Sequence, residues 1–144
     1  NIIFAGILLF AYLNKKNKKN LYSITLYSAL FIGIFQSLAL FPGASRSGTA
    51  ITAALLIGIN LKDASKFSFM LGIPTIFGAL ILLIFEMQLT SESFNYINLV
   101  IGFFVSMILA FLTIKFFLKF VEKIGMLPFV IYRIILGGFI LILV

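Results

Sequence analysis

The sequence has no cysteine and no histidine, which excludes disulfides, thiolate metal sites, His-ligated zinc and an imidazole base within this chain. Any acid–base or metal chemistry has to run on carboxylates, hydroxyls, amides, lysine or arginine. Charge is scarce as well: Asp, Glu, Lys and Arg make up 10% of the 144 residues, whereas 62% are hydrophobic. A soluble domain of this length cannot cover so much apolar surface with so few charges, so the sequence is matched to lipid as its solvent. Four acidic residues stand against eleven basic ones, a formal charge of +7. Such an excess can signal nucleic acid. Here the basic residues sit between apolar runs and are not interleaved with polar surface aromatics, so nucleic acid is not an expected partner. Membrane topology accounts for them better.

What is present is a series of apolar runs near the ~20 residues needed to cross a hydrocarbon core of ~30 Å. Residues 2–13 are apolar but too short to span, and read as the tail of a cut helix. A signal peptide would carry its basic stretch before the run, whereas Lys15, Lys16, Lys18 and Lys19 follow it. Residues 21–41 are long enough to cross, with Thr25, Ala29, Gly33 and Ser37 forming a small-residue face that admits close helix approach. A polar interruption at 42–49 leads into residues 50–59, which cannot span alone. Asn60, with Asp63 three residues on, forms an approximate capping box beside Lys62 and Lys66. Residues 67–85 cross with Pro74 inside; 86–95, with Glu86 and Glu92 and no basic residue, read as a solvated external loop. Residues 96–120 cross again, repeat the small stripe at Gly102, Ser106 and Ala110, and run into Lys115, Lys119 and Lys123, whose stems can snorkel. Pro128 opens a last segment, 129–144.

Lysines mark the loops at 14–20, 60–66 and 119–127 as cytoplasmic, and their absence marks 86–95 as external. Between the first two lysine loops the chain must therefore go in and return. The short run 50–59 favours a re-entrant helix-loop-helix over two full crossings, because irregular backbone at membrane depth is tolerated only where it is buried or lines a wet cavity. The expectation is an all-α polytopic membrane protein. It is one membrane domain over 1–144, with the re-entrant pair at 21–60, its loop at 42–49, and three transmembrane helices over 67–144.

That loop reads Pro42, Gly43, Ala44, Ser45, Arg46, Ser47, Gly48, Thr49. Pro42 ends the incoming helix and Gly43 allows a turn that other residues resist. Ser45, Ser47 and Thr49 supply hydroxyls, Arg46 a forked cation, and Gly48 lets a ligand approach the backbone. The following helix aims its unpaired N–H groups and positive dipole end into the same place. These features fit a phosphate, and an arginine buried at membrane depth marks a functional site. The bland alternative is a tight interhelical turn with Arg46 snorkelling at an interface. No Walker-type Gly-Lys-Ser/Thr is present, so the loop does not point to a nucleotide.

The run Gly33-Ile34-Phe35-Gln36, followed by Ala39-Leu40-Phe41-Pro42-Gly43-Ala44-Ser45-Arg46-Ser47-Gly48, resembles the second signature of the undecaprenyl-diphosphate phosphatase family, also known as bacitracin-resistance proteins. Phe67-Ser68-Phe69-Met70-Leu71-Gly72-Ile73-Pro74 resembles that family's next helix, and Phe129, Tyr132, Arg133 and Gly137 resemble its closing one. The resemblance implies half of an inverted-repeat membrane fold in the bacterial inner membrane. It also implies hydrolysis of a polyprenyl diphosphate lipid to the monophosphate carrier used in peptidoglycan synthesis. A divalent cation, Mg or Ca, is implied with it; its ligands are expected in an N-terminal half that supplies Glu, Ser and His, so the residues here are not expected to turn over by themselves. Where the family reads Ser-Gly-Ala-Thr, this chain has Ser47-Gly48-Thr49-Ala50, so the last hydroxyl's role passes to Thr49 or Thr52.

The candidate catalytic residues are Arg46, Ser45 and Ser47; the candidate substrate-binding residues are Gly43, Gly48, Thr49, Gln36 and Arg133. Gln36 either bonds phosphate or a metal-bound water, or makes an interhelical hydrogen bond. Arg133, beside Tyr132, either reaches substrate or snorkels in an aromatic belt. Membrane lipids are expected neighbours, and pairing into a homodimer is left open. A transporter or flippase of a lipid phosphate or other anion is the alternative to an enzyme, since broken helices meeting near the midplane also bind transported anions.

Overall fold

A computed structural model describes residues 1–14, 19–90 and 96–143, with the side chains of 87–90 and 143 left aside. Lys15, Lys16 and Lys18 of the first basic loop, and Glu92 of the external loop, lie outside the described residues. The described residues form six α-helices: α1 Ile2–Leu13, α2 Leu26–Ser37, α3 Arg46–Leu56, α4 Leu61–Thr90, α5 Tyr96–Ile124 and α6 Leu127–Leu143. Among them there is no strand beyond one isolated bridge, between Lys19 and Ile59. The expectation of an all-α membrane fold holds. α4 and α5 carry windows of mean hydropathy 2.3 and 2.5 and are long and apolar enough to cross a bilayer.

The stretch 21–41 differs from a single spanning helix. Leu21–Ser23 is a 3₁₀ turn, and Thr25 then restarts the chain as α2 by accepting the amide of Ser28 on its side chain. After Ser37 the helix tightens into a second 3₁₀ turn at Leu38–Leu40, and Pro42 cannot continue it. Twelve residues give α2 a length of about 18 Å, and eleven give α3 about 16 Å, each well short of a bilayer core.

α3 is the hub, packed on α1, α2 and α4. Its composition explains this: Gly48, Thr49, Ala50, Thr52, Ala53 and Ala54 are all buried, and side chains so small let neighbours close on several faces at once. Ile51 and Leu55 join Leu8, Ala11, Ile32, Val121, Met126 and Val130 in one apolar core. α6 lies on α1, and α4 and α5 pair. By contrast, most of α4 and α5 is exposed apolar surface. A Cβ added at Gly33 or at Gly102 would meet nothing within 4 Å, so no close helix approach occurs at either glycine among the described residues.

The lysine-bearing ends gather. Lys19 N–H donates to the Gly58 carbonyl at 3.1 Å and Asn60 N–H to the Lys19 carbonyl at 3.0 Å. Asn60 caps α4: Asp63 N–H donates to Asn60 Oδ1 at 2.9 Å, while Asn60 Nδ2 donates to Asp63 Oδ2 at 2.8 Å. Lys62 at the start of α4 pairs with Glu122 near the end of α5, 2.5 Å apart. α4 continues as helix to Thr90, so Glu86 sits in its last turns and not in a loop. Pro74 lies inside this unbroken helix, and Pro128 occupies the first turn of α6, where a missing N–H costs nothing.

Candidate functional site

The polar turn is built from both of its ends. Gly43 takes φ +85, a left-handed value that aims its carbonyl out of the turn, and Ala44 N–H closes on the Phe41 carbonyl at 3.1 Å. Ser45 is then the N-cap of α3, its Oγ accepting the Gly48 amide at 3.2 Å. Helix therefore begins at Arg46, and the irregular backbone is confined to a few residues of the 42–49 loop expected from composition. Ser47, Gly48 and Thr49 stand on the first helical turn. Ser68 of α4 fixes that turn from outside by donating to the Ser47 carbonyl at 3.1 Å.

Arg46 projects outward as the first residue of α3 and is exposed, not buried as its sequence context implied. A residue at the helix start points away from the core that α3's later residues fill. It lines a cavity of about 580 Å³ with Gly33, Gln36, Leu40, Thr75, Gly78 and Leu82. Its guanidinium has no hydrogen-bond or ion-pair partner among the described residues. Gln36 is nearly buried and donates from Nε2 to Thr75 Oγ1 at 3.0 Å, the interhelical bond weighed above, while still lining the cavity.

On the other side of the turn, Arg133 arrives from α6. Its Nη2 donates to the Gly43 carbonyl at 2.9 Å and its Nε to Asn1 Oδ1 at 2.7 Å. Ser45, Ser47 and Gly48 line a small cavity of about 80 Å³ with Arg133, and the two serine Oγ atoms are 3.4 Å apart. A Cβ on Gly48 would come within 3.1 Å of Arg133 Nη1 and of Ser45 Cβ, so any larger residue here would have to push these neighbours back by a few tenths of an ångström. Thr49 is buried with its hydroxyl donated to the Arg46 carbonyl at 2.9 Å, and Thr52 donates to the Gly48 carbonyl at 2.6 Å. Both threonines thus spend their donors inside α3.

The structure brings together Gly43, Ser45, Ser47, Gly48 and Arg133, with Arg46 and Gln36 on the opposite face of the same turn. Asn1 and Ser68 support this site and were not picked out from sequence; an arginine partner 132 residues away leaves no local signal. The chemistry offered is that of an anion cradle. The Arg46 and Ser47 amides have no hydrogen-bond partner among the described residues, and both guanidiniums add positive charge. A divalent cation does not fit here. Among the described residues no group of three or more Asp or Glu side chains gathers, and two arginines flank the turn.

These features define an all-α membrane protein in which two short helices present a cation-flanked Ser/Gly turn. The chain belongs to the family described as bacitracin resistance protein BacA, whose profile matches residues 1–139. It is 46% identical over 140 residues to the undecaprenyl-diphosphatase of Saccharophagus degradans, covering 95% of this chain and 51% of the relative. It is 48% identical over 142 residues to the undecaprenyl-diphosphatase of Campylobacter jejuni, covering 94% and 53%. The chain spans about half the length of the curated relatives it matches.

Proposed function

We propose that the complete protein hydrolyses undecaprenyl diphosphate to undecaprenyl phosphate and inorganic phosphate in the bacterial inner membrane. The reaction would recycle the lipid carrier for peptidoglycan synthesis and underlie bacitracin resistance. The observation that carries the reading is the unpartnered Arg46 guanidinium beside the free amides of α3, in a chain whose relatives are named for this reaction. In this reading the terminal phosphoryl oxygens lie on the Arg46 fork and on the Arg46 and Ser47 amides at the start of α3, with the Ser45 and Ser47 hydroxyls around the turn on its Arg133 side. The bond from phosphorus to the bridging oxygen breaks and the lipid phosphate departs as a water oxygen becomes bonded to phosphorus, its proton passing to solvent. Along a serine route the hydroxyl loses its proton as it bonds to phosphorus, and water then cleaves the phosphoserine to release inorganic phosphate. Charge that develops on the phosphoryl oxygens is met by donors already in place, which is where most of the rate in such transfers originates. Gly43 and Gly48 shape the cradle, and Gln36 borders the open cavity where Thr49 does not reach.

Helix length supports the membrane placement of this reading. α2 and α3 leave from and return to the lysine-rich end, and about 16–18 Å of helix carries the turn near the middle of a ~30 Å core. In this placement the pair is re-entrant, α4 and α5 cross, α6 with its 17 residues stands at the short limit for crossing, and the lysine end is cytoplasmic. The divalent cation implied by the resemblance would draw its ligands from chain beyond these residues, and no step above uses it. Phosphate release from undecaprenyl diphosphate by the purified complete protein tests the reading; no release above a protein-free control would end it.

A further inference from the structure

We propose that Arg133 is a positioning residue: it pins the turn that carries Ser45 and leaves the holding of substrate to Arg46. The proposal rests on the phosphatase reading above.

The two arginines on the turn are in opposite states. Arg46 has its whole fork free. Arg133 has spent one full edge of its guanidinium, Nε on Asn1 Oδ1 at 2.7 Å and Nη2 on the Gly43 carbonyl at 2.9 Å. That edge supplies two parallel donors, which is the geometry a phosphate would otherwise take. The remaining nitrogen, Nη1, is wedged against Gly48, so close that an added Cβ would stand 3.1 Å away. One planar group therefore touches the chain two residues before Ser45 and three residues after it. Between those points Ser45 Oγ is already tied to the Gly48 amide. Gly43 serves the same contact, because its φ of +85 presents the carbonyl that Arg133 takes. A half-buried cation with no carboxylate partner among the described residues is costly in an apolar helix such as α6, which argues that its hydrogen bonds do work.

A positioning role has a kinetic signature. Misplacing reacting groups by about 1 Å can cost about 10²-fold in rate without weakening ground-state binding. Arg133→Lys keeps the charge but cannot bridge Asn1 and Gly43 as a planar fork. Gly48→Ala keeps every atom of Arg133 and pushes Nη1 away by a few tenths of an ångström.

The test uses the purified complete protein, with methylenediphosphonate as a non-hydrolysable probe of anion affinity. Arg133→Lys is expected to lower kcat by roughly 10–10²-fold while KM and the probe's inhibition constant stay within about threefold. Gly48→Ala should do the same more mildly. The double variant should be no worse than Arg133→Lys by more than about threefold, since both act on one contact. Amide hydrogen exchange over residues 43–49 should accelerate in each. Wild-type kcat in Arg133→Lys, additive losses, or a tenfold weaker probe would overturn the proposal. If Arg133→Lys does not yield a monodisperse protein, Gly48→Ala decides: lower kcat with faster exchange supports the proposal, and neither change overturns it. If the wild type releases no phosphate, the phosphatase reading fails, and exchange over 43–49 still decides whether Arg133 pins the turn.

Discussion

Lys19 and Ile59 lie side by side in an isolated bridge, although the whole α2–turn–α3 excursion separates them in sequence. The chain therefore leaves one end of the molecule and returns to the same place after two helices too short to cross a bilayer.

The proposed re-entrant placement implies a depth difference. In the complete protein in vesicles, Ala44→Cys should remain largely unlabelled by a bulky impermeant thiol reagent, because that placement puts the turn at membrane depth. Tyr22→Cys, fully exposed at the lysine end, should label readily when that face is presented. Equal labelling of both positions would mean an extramembrane turn.

The ends of the excursion are held by Asn60, which caps α4 and also donates to the Lys19 carbonyl at 3.1 Å. Asn60→Ala should destabilise the protein by about 0.5–2 kcal/mol, the range for a lost cap. Lys62→Ala removes only a pair whose side chains are about half exposed, and should stay within about 0.5 kcal/mol. Thermal unfolding of the two variants in the same detergent ranks them. A larger loss for Lys62→Ala would contradict this ordering.

Gln36 and Thr75 join α2 to α4 through one hydrogen bond at the edge of the large cavity. Thr75→Val should cost about 0.6 kcal/mol, the average for such bonds in membranes. The combined Gln36→Leu and Thr75→Val variant should cost less than the sum of the two single variants. Strict additivity in unfolding measurements would show that the bond does not couple the helices.

Local signals were legible in the sequence and distant ones were not. Asn60 and Asp63 stand three residues apart and announce a cap, and the structure makes it with both side chains. The stretch 42–49 read as loop because Gly, Ser and Thr dominate it. Ser45 and the amide of Gly48 turn the same residues into a helix start, and the glycine is tolerated there because Ser45 and Arg133 crowd it. Residues 21–41 read as one span because hydropathy does not register Thr25, whose side chain restarts the helix. Arg133 could be noticed but not placed, since its partners Asn1 and Gly43 are 132 and 90 residues away. The contrast between a free Arg46 and an engaged Arg133 required three dimensions.

The central claim is that Arg46 holds the phosphate through its fork, and hydrolysis of undecaprenyl diphosphate by Arg46→Lys and Arg46→Ala in the complete protein tests it most directly. An ammonium keeps the charge but presents no parallel donors. Phosphate release per mole of protein with a monodisperse size-exclusion profile should fall substantially in Arg46→Lys. In Arg46→Ala it should fall by about 10²-fold or more, as for loss of an oxyanion-type donor. Folding should be spared in both, because Arg46 is exposed and packs in no core. Near-wild-type turnover by Arg46→Lys would contradict the account and leave Arg46 as a charge at an interface.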